Sequence, residues 1–276
     1  MYIILQIGYI IYKMVIYLII PLILGWIAGL LVNYLTDVIP SSPRSRQPNC
    51  SQCNSPTSWW DYWLLRSCRT CKHRRTTRTW LVQFLAVIST IYIWEFPPPR
   101  LGFSLGLVLL IYLSIVLIID LEHRLILHPV SLVGAFLGLG LGILMHGFIP
   151  TLVGGFAGFC IMFIFYLFGM LFSRYRTRRM RSAGQAVDDE EALGFGDVNL
   201  ALILGLILGW PLIWFGLLLG ILAGGIISLL IIIWMITARR YKQQAMMVFL
   251  PYGPYFIISA IFLLYLPNLI GALIPA

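Results

Sequence analysis

The chain alternates long apolar runs with shorter polar stretches. A helix that crosses a bilayer needs about 20 mostly apolar residues. Eight runs approach that length, at roughly 14–36, 79–95, 101–120, 125–146, 150–172, 197–209, 211–238 and 248–266, the second and sixth being short. The pattern predicts an all-α polytopic membrane protein with about eight transmembrane helices. The expected organisation is a first transmembrane helix in 1–36, a cytoplasmic loop in 37–78 and a seven-helix membrane domain in 79–276. The first 35 residues lack a small-residue cleavage site after a short apolar core, so they read as an uncleaved helix rather than a removed signal.

Composition agrees. Sixty per cent of residues are hydrophobic and 11% are charged, with a mean hydropathy of +0.92. The cations sort to one side of the predicted spans. Arg44, Arg46, Arg66, Arg69, Lys72, Arg74, Arg75 and Arg78 fall in the first loop, and Arg124 follows the third run. Arg174, Arg176, Arg178, Arg179 and Arg181 follow the fifth, and Arg239, Arg240 and Lys242 the seventh. Only Lys13 and Arg100 fall on the opposite side. The positive-inside rule makes the richer side cytoplasmic, which places the chain in the inner (plasma) membrane as a multi-pass protein with both termini external. Orientation by membrane lipid accounts for the net charge of +9, and no nucleic-acid partner is called for.

Two acids stand out against this background. Asp120 ends the third apolar run, and Asp197 closes Gly194-Phe195-Gly196-Asp197 and opens the sixth. Ionisable groups in membrane segments are costly and mark functional sites by default. The predicted topology brings both to the cytoplasmic edge at one depth. Two close carboxylates share one proton. The ionised member then activates a water, and the protonated one polarises a scissile carbonyl and protonates the leaving amine. Gly194 and Gly196 can take dihedrals closed to other residues and admit an extended substrate strand beside Asp197. Taken singly, Asp197 also fits a helix N-terminal cap and Asp120 a plain water-interface residue. Glu122 is a second acid nearby, and the run Asp188-Asp189-Glu190-Glu191 reads as a solvated loop.

The first loop carries Cys50-Ser51-Gln52-Cys53 and Cys68-Arg69-Thr70-Cys71. Paired C-x-x-C knuckles match a four-thiolate structural zinc site with no open coordination position. A disulfide is disfavoured in a reducing cytoplasm, and an empty or redox-active site remains the alternative. Cys160 reads as a core residue. Trp59-Trp60-Asp61-Tyr62-Trp63 between the knuckles fits an interfacial anchor or a substrate-binding rim. Glycines four residues apart, including Gly154/Gly158, Gly205/Gly209 and Gly216/Gly220/Gly224, suit close helix packing in lipid. Two other functions fit paired acids: a transporter coupling protons or cations through them, and a noncatalytic assembly protein that docks through its cysteine loop and tolerates loss of either aspartate.

Together these motifs resemble the type IV prepilin peptidases, membrane aspartic proteases of the G-x-G-D class. The resemblance is carried by Gly25, Gly29, Asn33 and Pro40, by the paired knuckles and by Leu64–Cys71. It continues through Ile119-Asp120-Leu121-Glu122-His123-Arg124, Leu193-Gly194-Phe195-Gly196-Asp197-Val198 and Pro251-Tyr252-Gly253-Pro254. It implies removal of the leader peptide from type IV prepilin or pseudopilin precursors at the cytoplasmic face, with Asp120 and Asp197 as the catalytic pair. Many bacterial members then methylate the new N-terminus with S-adenosylmethionine. Four positions depart from the family's usual residues: Val38 for arginine, Gln83 for glutamate, Leu127 for proline and Asn199 for lysine.

Overall fold

The computed structural model describes residues 2–40, 48–50, 52–53, 55–124, 127–182, 194–237 and 252–266, the side chains of 2–16, 176 and 178–182 excepted. The acidic run at 188–191, the cations at 44, 46, 239, 240 and 242, Leu193 and Pro251 lie outside the described residues. The order is α1 (Tyr2–Val38), α2 (Trp59–Trp63), α3 (Thr77–Glu95), α4 (Gly102–His123), α5 (His128–His146), α6 (Phe148–Ser182), α7 (Phe195–Leu208), α8 (Leu212–Thr237) and α9 (Gly253–Tyr265). Among the described residues β pairing is confined to an isolated bridge, Asn49 to Pro56.

Among the described residues each of the eight apolar runs overlaps a helix. Five are long and apolar enough to cross a membrane by length and composition: Tyr17–Val38, Gly102–His123, His128–His146, Phe148–Tyr175 and Leu212–Thr237. Phe195–Leu208 and Gly253–Tyr265 are apolar but short. Helix α3 is interrupted by polar side chains such as Arg78 and Gln83.

The chain divides into two compact units, Met1–Ile118 and Ile119–Ala276, with the division falling inside α4. In the first unit α1 packs along α3. Gly29 makes room for the Gln83 amide, since a Cβ there would sit 2.8 Å from Oε1. Gln83 Nε2 donates to the Trp26 carbonyl (2.6 Å), and Asn33 Nδ2 donates to the carbonyls of Gly29 (3.0 Å) and Thr79 (3.2 Å). These bonds satisfy the two amide nitrogens inside an otherwise apolar helix pair, while Asn33 Oδ1 and Gln83 Oε1 are buried without a hydrogen-bond partner among the described residues. At the end of α1, Asp37 pairs with Arg78, and Arg78 Nη2 also donates to Thr36 Oγ1 (2.7 Å).

In the second unit α7 is the central element. Val198, Leu200, Ala201, Ile203, Leu204, Leu206, Ile207 and Leu208 are all buried. Its neighbours approach through glycine. A Cβ on Gly142 of α5 would run into the Leu206 carbonyl, and one on Gly158 of α6 into that of Ala201. Gly154 and Gly205 face each other, each leaving no room for a Cβ against the other's backbone or its neighbour's. Lipid tails supply no hydrophobic drive between helices, so close backbone contact and dispersion do the work. Helix α9 closes on α8 in the same manner, with Phe256 against Gly220 and Ser259 Oγ donating to the Gly216 carbonyl (2.7 Å). A 14-residue helix held this firmly is a fixed mount for whatever stands at its first turn.

Candidate active site

Helix α4 delivers Asp120 in its last turn. The helix stops just beyond it, where Arg124 turns into the left-handed region (φ 51°) and its N–H bonds the Asp120 carbonyl (2.9 Å). That is the αL stop common at helix C-termini, here without the usual glycine. Asp120 is 4% exposed, whereas Glu122 is exposed. The inward acid of the pair is therefore Asp120. Its Oδ2 is buried without a hydrogen-bond partner among the described residues, an expensive state for a carboxylate oxygen.

Asp197 stands in the first turn of α7. Its N–H bonds the Gly194 carbonyl (3.1 Å), and its carboxylate lies within reach of the Gly194 backbone N–H. The acid thus meets the electropositive end of its own helix, in the manner of half a capping box. The two carboxylates are close enough to feel one another's charge. Among the described residues neither has a cationic partner.

The glycines before Asp197 do not act through unusual dihedrals. Gly194 sits at φ −81°, ψ 147°, open to any residue, and Gly196 lies within α7. What Gly194 offers is room: it is exposed, and a Cβ there would meet only the Gly196 nitrogen, at 3.9 Å.

A residue given no role from sequence joins the pair. Gly253, at the start of α9, lies so near Asp120 that a Cβ on it would collide with Oδ2. The same Cβ would come within 3.4 Å of Leu200 Cδ2, and Leu200 is one turn along α7 from Asp197. Gly253 therefore lies between the aspartate of α4 and the helix that carries the second. Its sequence signal was the glycine between Tyr252 and Pro254, in a short motif at a helix start.

The four cysteines of the first unit also come together. Their sulfurs lie within 4.8 Å of one another, with Cys50 to Cys71 and Cys53 to Cys68 each at 3.6 Å. A disulfide would bring sulfurs to about 2.05 Å. Four thiolates about a zinc at ~2.3 Å would stand about 3.8 Å apart, so the donor set fits a tetrahedral metal ion. The two knuckles are built alike. The Cys50 N–H bonds the Ser55 carbonyl (2.9 Å) and the Cys68 N–H bonds that of His73 (3.0 Å). The Cys71 backbone N–H, the Ser55 hydroxyl and the Thr70 backbone N–H lower the Cys68 thiol to about 5, toward the thiolate that binds metal. Cys160 lies on α6, apart in sequence and outside this cluster.

The cluster is tied to α1 through α2, which sequence did not anticipate. Tyr34 contacts the rings of Trp59 and Tyr62. The Tyr62 hydroxyl donates to Asp37 Oδ2 (2.5 Å), and Arg75 lies over the Tyr62 ring at 4.2 Å. Trp60 is 76% exposed, the orientation an interfacial anchor would need.

Comparison with known proteins bears on these features. No solved structure matches. Two curated proteins of Aeromonas salmonicida, one from strain A449, are 28% identical over 227 residues, covering 80% of this chain and 70% of theirs. Both carry the name prepilin leader peptidase/N-methyltransferase. The resemblance read from the motifs is borne out: residues 107–229, the segment that holds Asp120 and Asp197, match the type IV leader peptidase family.

Proposed function

We propose that this chain is a membrane aspartic endopeptidase that removes the leader peptide of type IV prepilins or pseudopilins. The supporting observation is that Asp120, at the end of α4, and Asp197, at the start of α7, stand within Coulombic range of one another, with Gly253 packed between Asp120 and Leu200 of α7. Two acids within Coulombic range hold one proton between them. The ionised carboxylate takes a proton from water, which attacks the scissile carbonyl. The protonated carboxyl polarises that carbonyl and then delivers its proton to the departing amine. The open space at Gly194 admits an extended strand next to Asp197.

The cation asymmetry supports a site at the cytoplasmic face, in a topology of about eight spans with both termini outside. Zinc would be held by Cys50, Cys53, Cys68 and Cys71. Four protein ligands leave no position for water, so it would supply structure rather than chemistry.

Methylation with S-adenosylmethionine is a second reading, carried by the name of the Aeromonas relatives. The position tied to it here is Gln83, which is neutral, 1% exposed and committed to the Trp26 carbonyl. It offers no charge to an amine, and the proposed reaction ends at cleavage.

The test is purified protein in liposomes with a pilin-like precursor, its products read by mass spectrometry. The reading predicts one cut, after a glycine and before the hydrophobic helix, with no added methyl group. An intact precursor, together with proton-coupled solute uptake by the same liposomes, would replace the protease with a transporter.

A further inference from the structure

Gly253 touches Asp120 where an ordinary residue would not fit. Its Cα packs on Oδ2, the oxygen that is buried and has no hydrogen-bond partner among the described residues. On its other side stands Leu200 of α7, which is fully buried and cannot yield cheaply. Helix α9 is held from behind as well. Phe256, one turn on, fills the space left by Gly220 of α8, and Tyr252 that left by Gly224. The start of α9 is therefore fixed against two helices, and the carboxylate is fixed against the start of α9.

Other glycines of this unit behave differently. A Cβ on Gly140 or Gly225 would meet nothing within 4 Å. Those at Gly142, Gly154, Gly158 and Gly205 admit backbone carbonyls of a packed neighbour, which is a packing role. Gly253 admits a carboxylate. The structure assigns Gly253 as a positioning residue for the reaction: its missing side chain sets where the Asp120 carboxylate stands and packs against Oδ2. The assignment rests on the proposed catalytic role of Asp120.

A Cβ at this position has two ways out. It can push the carboxylate aside, or lift the start of α9 away from α7. The first displaces the reacting group by something on the order of 1 Å, a scale that costs about a hundredfold in rate. Binding of the substrate strand, which involves the Gly194 side of the site, would change little.

The experiment compares Gly253→Ala with Gly225→Ala in the full-length protein. Gly253→Ala should lower kcat for a pilin-like precursor by about a hundredfold with KM nearly unchanged, and displace the pH–rate profile. Gly225→Ala should match the wild type in all three. A second measurement does not depend on proteolysis. Thermal unfolding in detergent is compared for Gly253→Ala, Asp120→Ala and the double variant. The collision is with the carboxylate, so Gly253→Ala should lower the midpoint in the natural background and cost little once Asp120 is alanine. If Gly253→Ala fails to fold while the double variant folds, the assignment stands. Equal cost in both backgrounds, failure of both to fold, or wild-type kcat and pH profile in Gly253→Ala would overturn it. Should Asp120 itself prove dispensable for cleavage, the thermal cycle still reports the contact, so failure of the proposed function is told apart from failure of this assignment.

Discussion

Arg69, inside the second cysteine knuckle, grips Asp61 of α2 through Nε (2.6 Å) and Nη2 (2.9 Å). Asp61 is 5% exposed, so this arginine is its main link between burial and charge neutrality. Tyr62, the next residue, reaches Asp37 at the end of α1, and Asp37 holds Arg78 at the start of α3. A continuous chain of polar contacts thus runs from the cysteine cluster to the ends of two apolar helices.

Removing the metal should loosen that chain. One equivalent of zinc per protein is expected by elemental analysis, falling to near zero in Cys68→Ser. Cys68→Ser should also lower the thermal midpoint, and Arg69→Ala should lower it with zinc retained. Full zinc content in Cys68→Ser, or an unchanged midpoint in both variants, would count against a structural metal.

Arg78 is not replaceable by lysine on this geometry. Its guanidinium serves Asp37 and Thr36 together, which a single ammonium cannot copy. Arg78→Lys should cost about 1.5–3 kcal/mol, the scale of a lost hydrogen bond to a charged group. Chemical denaturation of the detergent-solubilised protein measures it.

Burial, and then the neighbouring Asp37 carboxylate, hold the Tyr62 hydroxyl well above the ordinary phenol range. The unfolded chain would lose that proton first, near pH 10. The contribution of Tyr62 is therefore fully present below about pH 10 and declines as pH rises above it. Thermal midpoints between pH 8 and 11 should fall more steeply for the wild type than for Tyr62→Phe. Parallel curves would remove Tyr62 from the account.

Glycines at backbone contacts and glycines in open space should respond in opposite ways. Gly154→Ala places a methyl against the backbone of Gly205 and Gly209 and should cost about 1–3 kcal/mol as overpacking. Gly140→Ala meets nothing and should be neutral or stabilising by up to about 1 kcal/mol, the helix-propensity difference. Thermal unfolding of the two variants side by side decides it.

Much of this was legible before folding. Charges in apolar runs are rare enough that Asp120 and Asp197 announce themselves, and the C-x-x-C spacing announces the cysteine cluster. The apolar pattern marked the helices, though not their ends: α1 begins at Tyr2, and α6 continues to Ser182 through an arginine-rich stretch beyond its apolar run. The short α2 was not legible, since five residues carry little periodicity and its support comes from Tyr34 and the Arg69–Asp61 contact. Gly253 was seen only as part of a motif. Its meaning is a tertiary contact with a residue 133 positions earlier, which no local pattern encodes. Gly194 has ordinary helix-entry dihedrals, and what distinguishes it is the open space around it.

In the proposed mechanism Asp120 and Asp197 act as one hydrolytic unit. The most direct test is cleavage of a pilin-like precursor in membranes by wild type, Asp120→Asn, Asp197→Asn and the double variant at matched expression. Each single substitution should abolish cleavage, and the double variant should lose no more than either, as members of one unit do. Normal cleavage by either single variant would contradict that mechanism.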